Sequence, residues 1–387
     1  MMEMHIRKAI DINAYFWEGH NCLWGITWGK AYLYKIDLEE RIIDEIMPLL
    51  DEPNLFRAFS DILPCGDFIA FIPGCSDSLV IVDRISKTKE QIPLPEYGKK
   101  IGTSGVRFFT GIFFKNCVFM FGYSYPGIVK VDLCKKETVV IDRWLESADV
   151  LFTDETDGCF HVQYYRNGNL VYFPFMNANA VMEFDLEKEK AIIHKVGDRH
   201  QRYISIEWDG SNFWLIPRDG SVGSIVKWNP VSDETLHYRK YPKGFNYDKY
   251  AFYRTVNIGD KIFLFAHQSN MNIEIDIATG EMNGFADVYD TSDRKAGKYL
   301  HAELRGDKIF FINDSQCIWW NYVSGEKEYL LYYDRERICD RGKNEELKRF
   351  FGKKGGIPVG ESEQINLNSL ITYLKSYEER EQGMGIG

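Results

Sequence analysis

Asn272-Ile273-Glu274-Ile275-Asp276-Ile277-Ala278-Thr279-Gly280-Glu281 is a short strand of alternating polar and apolar residues that stops on an aspartate and runs into a polar turn. The same ending recurs six more times, at Asp37, Asp83, Asp132, Asp185, Asn229 and Asn321. Successive anchors lie 46, 49, 53, 44, 47 and 45 residues apart, a spacing that suits propeller blades and exceeds the ankyrin, tetratricopeptide and leucine-rich periods.

A second set of signals keeps the same register. About 17 residues before the anchors stand Glu18-Gly19-His20, Cys65-Gly66-Asp67, Asn167-Gly168-Asn169, Asp209-Gly210-Ser211, Ile258-Gly259-Asp260 and Arg305-Gly306-Asp307, with Lys115-Asn116 in the third repeat. Glycine supplies the positive φ of a hairpin turn, and asparagine tolerates it next best. Each turn opens an apolar run such as 68–72 (FIAFI) or 308–312 (KIFFI), too short for a helix and rich in aromatic and β-branched residues. The pattern predicts four antiparallel strands per repeat and an all-β, seven-bladed β-propeller over residues 1–333, each blade built from consecutive chain. The first strand is expected near 12–17 and the last over 326–333, so that ring closure needs no exchanged strand. Residues 334–387 form a C-terminal extension. Leu367, Leu370, Ile371 and Leu374 fall at helical spacing there, and predict an amphipathic helix near 366–381 that either caps the propeller or docks a partner.

The strand, Asp and polar-turn unit resembles the blades of YVTN, NHL and quinoprotein-type propellers over roughly residues 12–333. The signatures of kelch and WD40 blades are missing. That resemblance implies an architecture and leaves the activity open.

Composition narrows the function classes. The chain carries a net charge of −10, which disfavours nucleic-acid binding through phosphate neutralisation. No apolar stretch approaches membrane-spanning length and the N-terminus lacks a signal-peptide core, so a soluble cytoplasmic protein without membrane association is expected. Eight scattered cysteines without a C-x-x-C pair read as reduced core residues, and the eight histidines show no metal spacing, so neither metal nor cofactor is expected. Phosphate-loop, nucleophile-elbow and zinc-protease motifs are missing as well.

The candidate site comes from aligning the repeats by their glycine turns. The first strand of each blade faces the central channel, and its middle position reads Ala14, Asp61, Thr110, Gln163, Ser205, Arg254 and His301. Two residues on, and on the same side by strand alternation, the column reads Phe16, Leu63, Ile112, Tyr165, Glu207, Val256 and Glu303. The loops entering these strands form one rim carrying Lys99, Lys100, Arg107, Arg199, His200, Arg202, Lys249, Arg294, Lys295 and Lys298, with Tyr97, Phe245, Tyr247 and Tyr250 beside them. Three readings follow. The first is a non-enzymatic binding or scaffold protein that engages a protein partner or an anionic small ligand, with Asp61, Gln163, Ser205, Arg254, His301, Arg107, Arg202 and Lys298 as ligand-binding candidates. The second is a channel-mouth lyase or hydrolase using His301 with Glu207 or Glu303 as acid and base and Arg254 as clamp. The third is glycan recognition by the rim aromatics. A structural alternative stands beside them, a polar channel in which Arg254 and the carboxylates neutralise one another.

Overall fold

The computed structural model describes residues 6–7, 12–27, 29–39, 42–51, 55–97, 101–148, 151–152, 157–219, 223–247, 250–288, 299, 301–312, 317–330 and 332–334. The chain divides into two units, Met1–Arg335 and Glu336–Gly387. The predicted helix near 366–381 and the rim residues Lys99, Lys100, Lys249, Arg294, Lys295 and Lys298 lie outside the described residues.

The first unit is a seven-bladed β-propeller. Seven sheets follow one another along the chain, and in each the four antiparallel blade strands run in sequence order from the axis outwards, the sheet of blade 1 carrying two further strands at its outer edge. Blade 1 spans 12–48, blade 2 59–93, blade 3 108–141, blade 4 165–195, blade 5 203–238, blade 6 252–285 and blade 7 301–330. Inner strands pack on each other between blades 1 and 2, 2 and 3, 4 and 5, 5 and 6, and 6 and 7.

The continuous apolar runs have a simple cause: both faces of every blade are buried. Within Phe68–Pro73, Ile69 and Phe71 face a core shared with blade 1, while Ala70 and Ile72 face the core shared with blade 3. A separate hydrophobic cluster fills each of the seven blade interfaces. The cluster joining Ile12, Leu23 and Ile36 of blade 1 to Phe310 and Ile312 of blade 7 closes the ring. Burying one such Phe or Ile contributes roughly 1.5–3 kcal/mol.

The seven anchors owe their identity to one side-chain oxygen. Asp83 Oδ1 accepts from the amides of Ile85 and Ser86, both at 2.8 Å, and Asn229 Oδ1 accepts from Val231 and Ser232, both at 2.9 Å. Asp37, Asp132, Asp185, Asp276 and Asn321 accept from the amides that follow them in the same way. The turn itself uses only the oxygen that Asp and Asn share, while Asn229 Nδ2 donates in addition to Ser211 O and Asn212 Oδ1, and Asn321 Nδ2 to Asp307 Oδ2. In the inner hairpins, Gly66 takes φ +65° at the first of two turn positions. Blade 3 instead places both Lys115 and Asn116 at positive φ, a mirror-image turn that an asparagine supports without glycine.

The C-terminal edge departs from expectation. The outer strand of blade 7 ends at Leu330, and Tyr332–Asp334 crosses to blade 1, where it pairs in parallel with the outer strand Ile42–Pro48 through Tyr333 opposite Ile42. Ile6–Arg7 adds antiparallel to that segment. Each blade still draws its four strands from consecutive chain, and the chain end then covers the open edge of blade 1. Among the cysteines, Cys65, Cys117, Cys159 and Cys317 are buried as expected, whereas Cys134 lies exposed on the turn after Asp132.

Candidate functional site

The innermost strands carry a feature that simple alternation misses. In blades 1, 2, 3, 5 and 6 the pairing to the second strand skips one residue at the same place, namely Asn13, Ser60, Phe109, Ile204 and Tyr253. A bulge of this kind re-aims its side chain. Asn13, Ser60, Phe109 and Tyr253 consequently reach the axis next to the predicted channel column. Two of these bulges also tie blades together: Asn13 Nδ2 donates to Phe59 O at 3.2 Å, and Ser60 Oγ donates to Phe108 O at 2.6 Å.

Two cavities lie on this axis. The larger, of about 350 Å³, is bounded by Ala14, Tyr15, Phe16, Asp61, Leu63, Thr110, Tyr164 and Glu303 among others. The smaller, of about 30 Å³, lies among Arg57, Phe59, Gly74, Val106 and Tyr253. Asn13, Ser60, Phe109, Val162, Arg254 and His301 line both and form a waist between them.

At the waist Arg254 Nη2 sits 3.5 Å from His301 Nδ1. A guanidinium only donates, so Nδ1 is the acceptor and the imidazole proton belongs on Nε2. Burial, reinforced by Arg254, pushes the His301 pKa down to about 3. Burial also lowers the Arg254 value, against the pull of Tyr253, Tyr15, Asp61 and Glu303, and a guanidinium remains charged throughout. Tyr253 packs on this centre from one side, with its hydroxyl 2.8 Å from His161 Nε2 and its ring stacked on His267 at 4.6 Å. Both histidines are kept neutral: burial and then Arg254 hold His161 well below the ordinary value, and burial takes His267 to about 4.

The larger cavity has an acidic side. Asp61 accepts from Thr110 Oγ1 at 2.9 Å and from the amides of Ile62 at 2.9 Å and Gly111 at 3.3 Å. Burial nevertheless pushes its pKa up to about 6, opposed by those hydrogen bonds and by Arg254. Glu303 accepts from Trp17 Nε1 at 2.8 Å and lies 3.6 Å from Arg305.

The remaining channel candidates form a second centre. Glu207 Oε1 accepts from Gln163 Nε2 at 2.6 Å and from Thr255 Oγ1 at 2.7 Å, and Ser205 Oγ lies 2.6 Å from Thr255 Oγ1. Burial pushes the Glu207 pKa up to about 8, with the Thr255 and Gln163 hydrogen bonds opposing. Glu207, Gln163 and Ser205 do not border either cavity. The structure thus brings Asp61, Arg254, His301 and Glu303 together and sets Gln163, Ser205 and Glu207 apart around Thr255, a residue absent from both predicted columns.

Of the described basic rim candidates, Arg107 and Arg202 are engaged within the protein, whereas Arg199 and His200 are exposed. Arg107 pairs with Asp77 and donates to Ser76 O at 3.2 Å. Arg202 Nη1 pairs with Asp219 Oδ2 at 3.0 Å. Asp219 also holds Arg218, which is buried against Asp157 and donates to Met176 O at 3.1 Å. Of the rim aromatics, Phe245 stacks on Tyr241 at 4.8 Å and on the inner-strand Phe252 at 5.6 Å, while Tyr97 donates to Asp142 at 2.8 Å. Lys298 lies outside the described residues. Among the described residues no cluster of His, Cys, Asp and Glu could hold a metal ion, and no helix is long and apolar enough to cross a membrane.

No protein-family model and no curated protein matches the chain. Known structures do match, through the ring of blades. The likeness is one of fold. Virginiamycin B lyase from Staphylococcus aureus superposes with a TM-score of 0.55 at 11% identity, covering 81% of this chain and 97% of the lyase. The extracellular domain of a B. thetaiotaomicron protein gives 0.53 at 8% identity, over 81% of this chain and 39% of that one. A chain of the mitotic checkpoint complex gives 0.50 at 11% identity, over 85% and 90%. Such identities carry the β-propeller architecture, in keeping with the resemblance to YVTN, NHL and quinoprotein-type blades, and carry no activity with it.

Proposed function

We propose that this protein is a binding propeller whose ligand site is the axial cavity, where Arg254 holds a small organic molecule at the waist. The observation that carries this reading is the position of Arg254. Its charge stands on a bulged inner strand where two cavities meet, beside the apolar side chains of Phe109 and Val162 that strengthen any polar contact made there. The described basic rim residues Arg107 and Arg202 already have carboxylate partners, which weakens the case for an anion site built on them. Acid-base catalysis has weaker support. His301 is a poor base at a pKa of about 3, and Glu207 lies outside the cavity that His301 lines.

A ligand-observed NMR screen of small polar fragments tests the reading. Binders are expected, and Arg254→Gln or the cavity-filling Ala302→Phe is expected to abolish their signals while thermal melting shows the protein folded. Binding that survives both variants overturns the axial site. Catalytic turnover of any hit that is lost in His301→Gln overturns the purely binding role.

A further inference from the structure

The charges on the larger cavity answer one another. Arg254 stands in the field of Asp61 and Glu303, and Glu303 also lies 3.6 Å from Arg305. Two guanidiniums therefore meet two carboxylates, with His301 neutral beside them. An ionic ligand would unbalance that set and lose its own hydration, whereas an uncharged one does neither.

Hydrogen-bonding capacity remains, and it belongs to oxygens. Asp61 accepts from Thr110, Ile62 and Gly111, which leaves it one of the about four sites that a carboxylate offers. Ser60 has given its hydroxyl proton to Phe108 O and keeps lone pairs. The Tyr164 hydroxyl takes no hydrogen bond among the described residues. Burial, and then the Asp61 charge, hold its pKa up at about 12, so it stays a neutral group that both donates and accepts. All three side chains border the larger cavity and are partly accessible. Tyr15, Phe16, Leu63 and Phe109 add carbon surface to the same space. Oxygens that call for hydroxyl partners, set among aromatic and aliphatic carbon, match a ring with hydroxyls on its edge and C–H groups on its faces. A volume of about 350 Å³ is at the low end for small-molecule sites, which limits the ligand to one such ring.

From this arrangement we infer that the ligand is a single uncharged polyhydroxylated ring, a monosaccharide or a cyclitol, whose hydroxyls donate to Asp61 and Ser60 and pair with Tyr164. This rests on the axial cavity being the ligand site. Tyr164, which stands in neither predicted column, becomes a binding residue.

Isothermal titration of the full chain with glucose, galactose, mannose and myo-inositol, and with glucosamine, galactosamine, glucuronate and galacturonate, tests the assignment. At least one neutral ring is expected to bind saturably, and about ten-fold or more tighter than any of the charged rings, the scale on which an unbalanced charge tells. Tyr164→Phe removes one hydroxyl from the wall and should weaken that ring by about three- to ten-fold. Asp61→Asn should weaken it by about ten-fold or more, the scale of a hydrogen bond to a charged group, with thermal melting reporting the fold; if that variant unfolds, Tyr164→Phe and the charged rings decide alone. Equal or tighter binding of a charged ring, or unchanged affinity in Tyr164→Phe, overturns the uncharged polyol. So does the failure of every ring to bind while the fragment screen finds another binder at Arg254, a result that leaves the axial site standing. If the fragment screen finds no binder either, the axial site falls with it.

Discussion

Arg254 and His301 occupy the same position on neighbouring blades, and the Arg254 Nη2 to His301 Nδ1 approach of 3.5 Å places a permanent cation beside an imidazole that cannot take a proton at neutral pH. The contact fixes which nitrogen of His301 is left to donate and joins blade 6 to blade 7 at the axis.

It also predicts an acid-sensitive step in stability. A histidine with a folded pKa of about 3 and an ordinary value near 6.5 binds its proton more readily in the unfolded chain, so its contribution is complete above about pH 6.5 and is lost as pH falls towards 3. His301→Gln should flatten the decline in melting temperature between about pH 6.5 and 4. An unchanged decline would show that His301 is not buried neutral. His267, at about 4, contributes in the same direction and remains in the variant as a background.

Glu207 predicts the opposite slope. Its folded pKa of about 8 lies above the ordinary carboxylate value, so the folded state keeps the proton that the unfolded chain has released, and stability falls as pH rises from about 4.5 to 8. Glu207→Gln preserves an oxygen for Gln163 and Thr255 and should raise the melting temperature at pH 8 relative to the parent, with little difference at pH 5. Asp61, at about 6, adds a smaller effect of the same sign that the variant leaves in place.

Anchor chemistry predicts tolerance of one substitution and not another. Asp83→Asn keeps the oxygen that accepts from Ile85 and Ser86 and should be nearly neutral. Asp83→Ala strips both amides of their partner and should lower the denaturant midpoint. Equal effects of the two substitutions would contradict the oxygen-only account of the anchors.

The blade interfaces predict a larger loss. Phe71 is fully buried between blades 1 and 2, so Phe71→Ala should cost roughly 3–5 kcal/mol in equilibrium unfolding. A loss below about 1 kcal/mol, the scale of a surface change, would mean that this interface does not hold the ring.

These residues also show what could be read in advance. The propeller was legible because each anchor needs a particular atom and each inner turn a particular backbone angle, and both needs restrict residue type. Asp61, Arg254, His301 and Glu303 were legible as charges on otherwise apolar strands. Asn13, Ser60 and Tyr253 were not, since alternation sends them away from the axis and only the bulge turns them back; the adjacent polar pairs Ser60-Asp61 and Tyr253-Arg254 were the signal available. Ser205 and Glu207 lie on the expected inner strand Tyr203–Trp208, whereas Gln163 precedes the short inner strand Tyr165–Asn167 of its blade. Their separation from Arg254 depends on Thr255, whose hydroxyl gathers them into one network and which no column contained. The crossing of Tyr332–Asp334 to blade 1 leaves no mark in the repeat, because it satisfies an edge and not a blade position.

The most direct measurement of the axial site is the ¹H–¹⁵N spectrum of the Arg254 side chain, recorded while the tightest fragment is titrated into the full chain. The account predicts a saturable shift of the Arg254 Nε resonance, accompanied by the amides of Asn13, Ser60 and Phe109. Shifts confined to the rim loops, with the Arg254 signal unmoved at saturation, would contradict it.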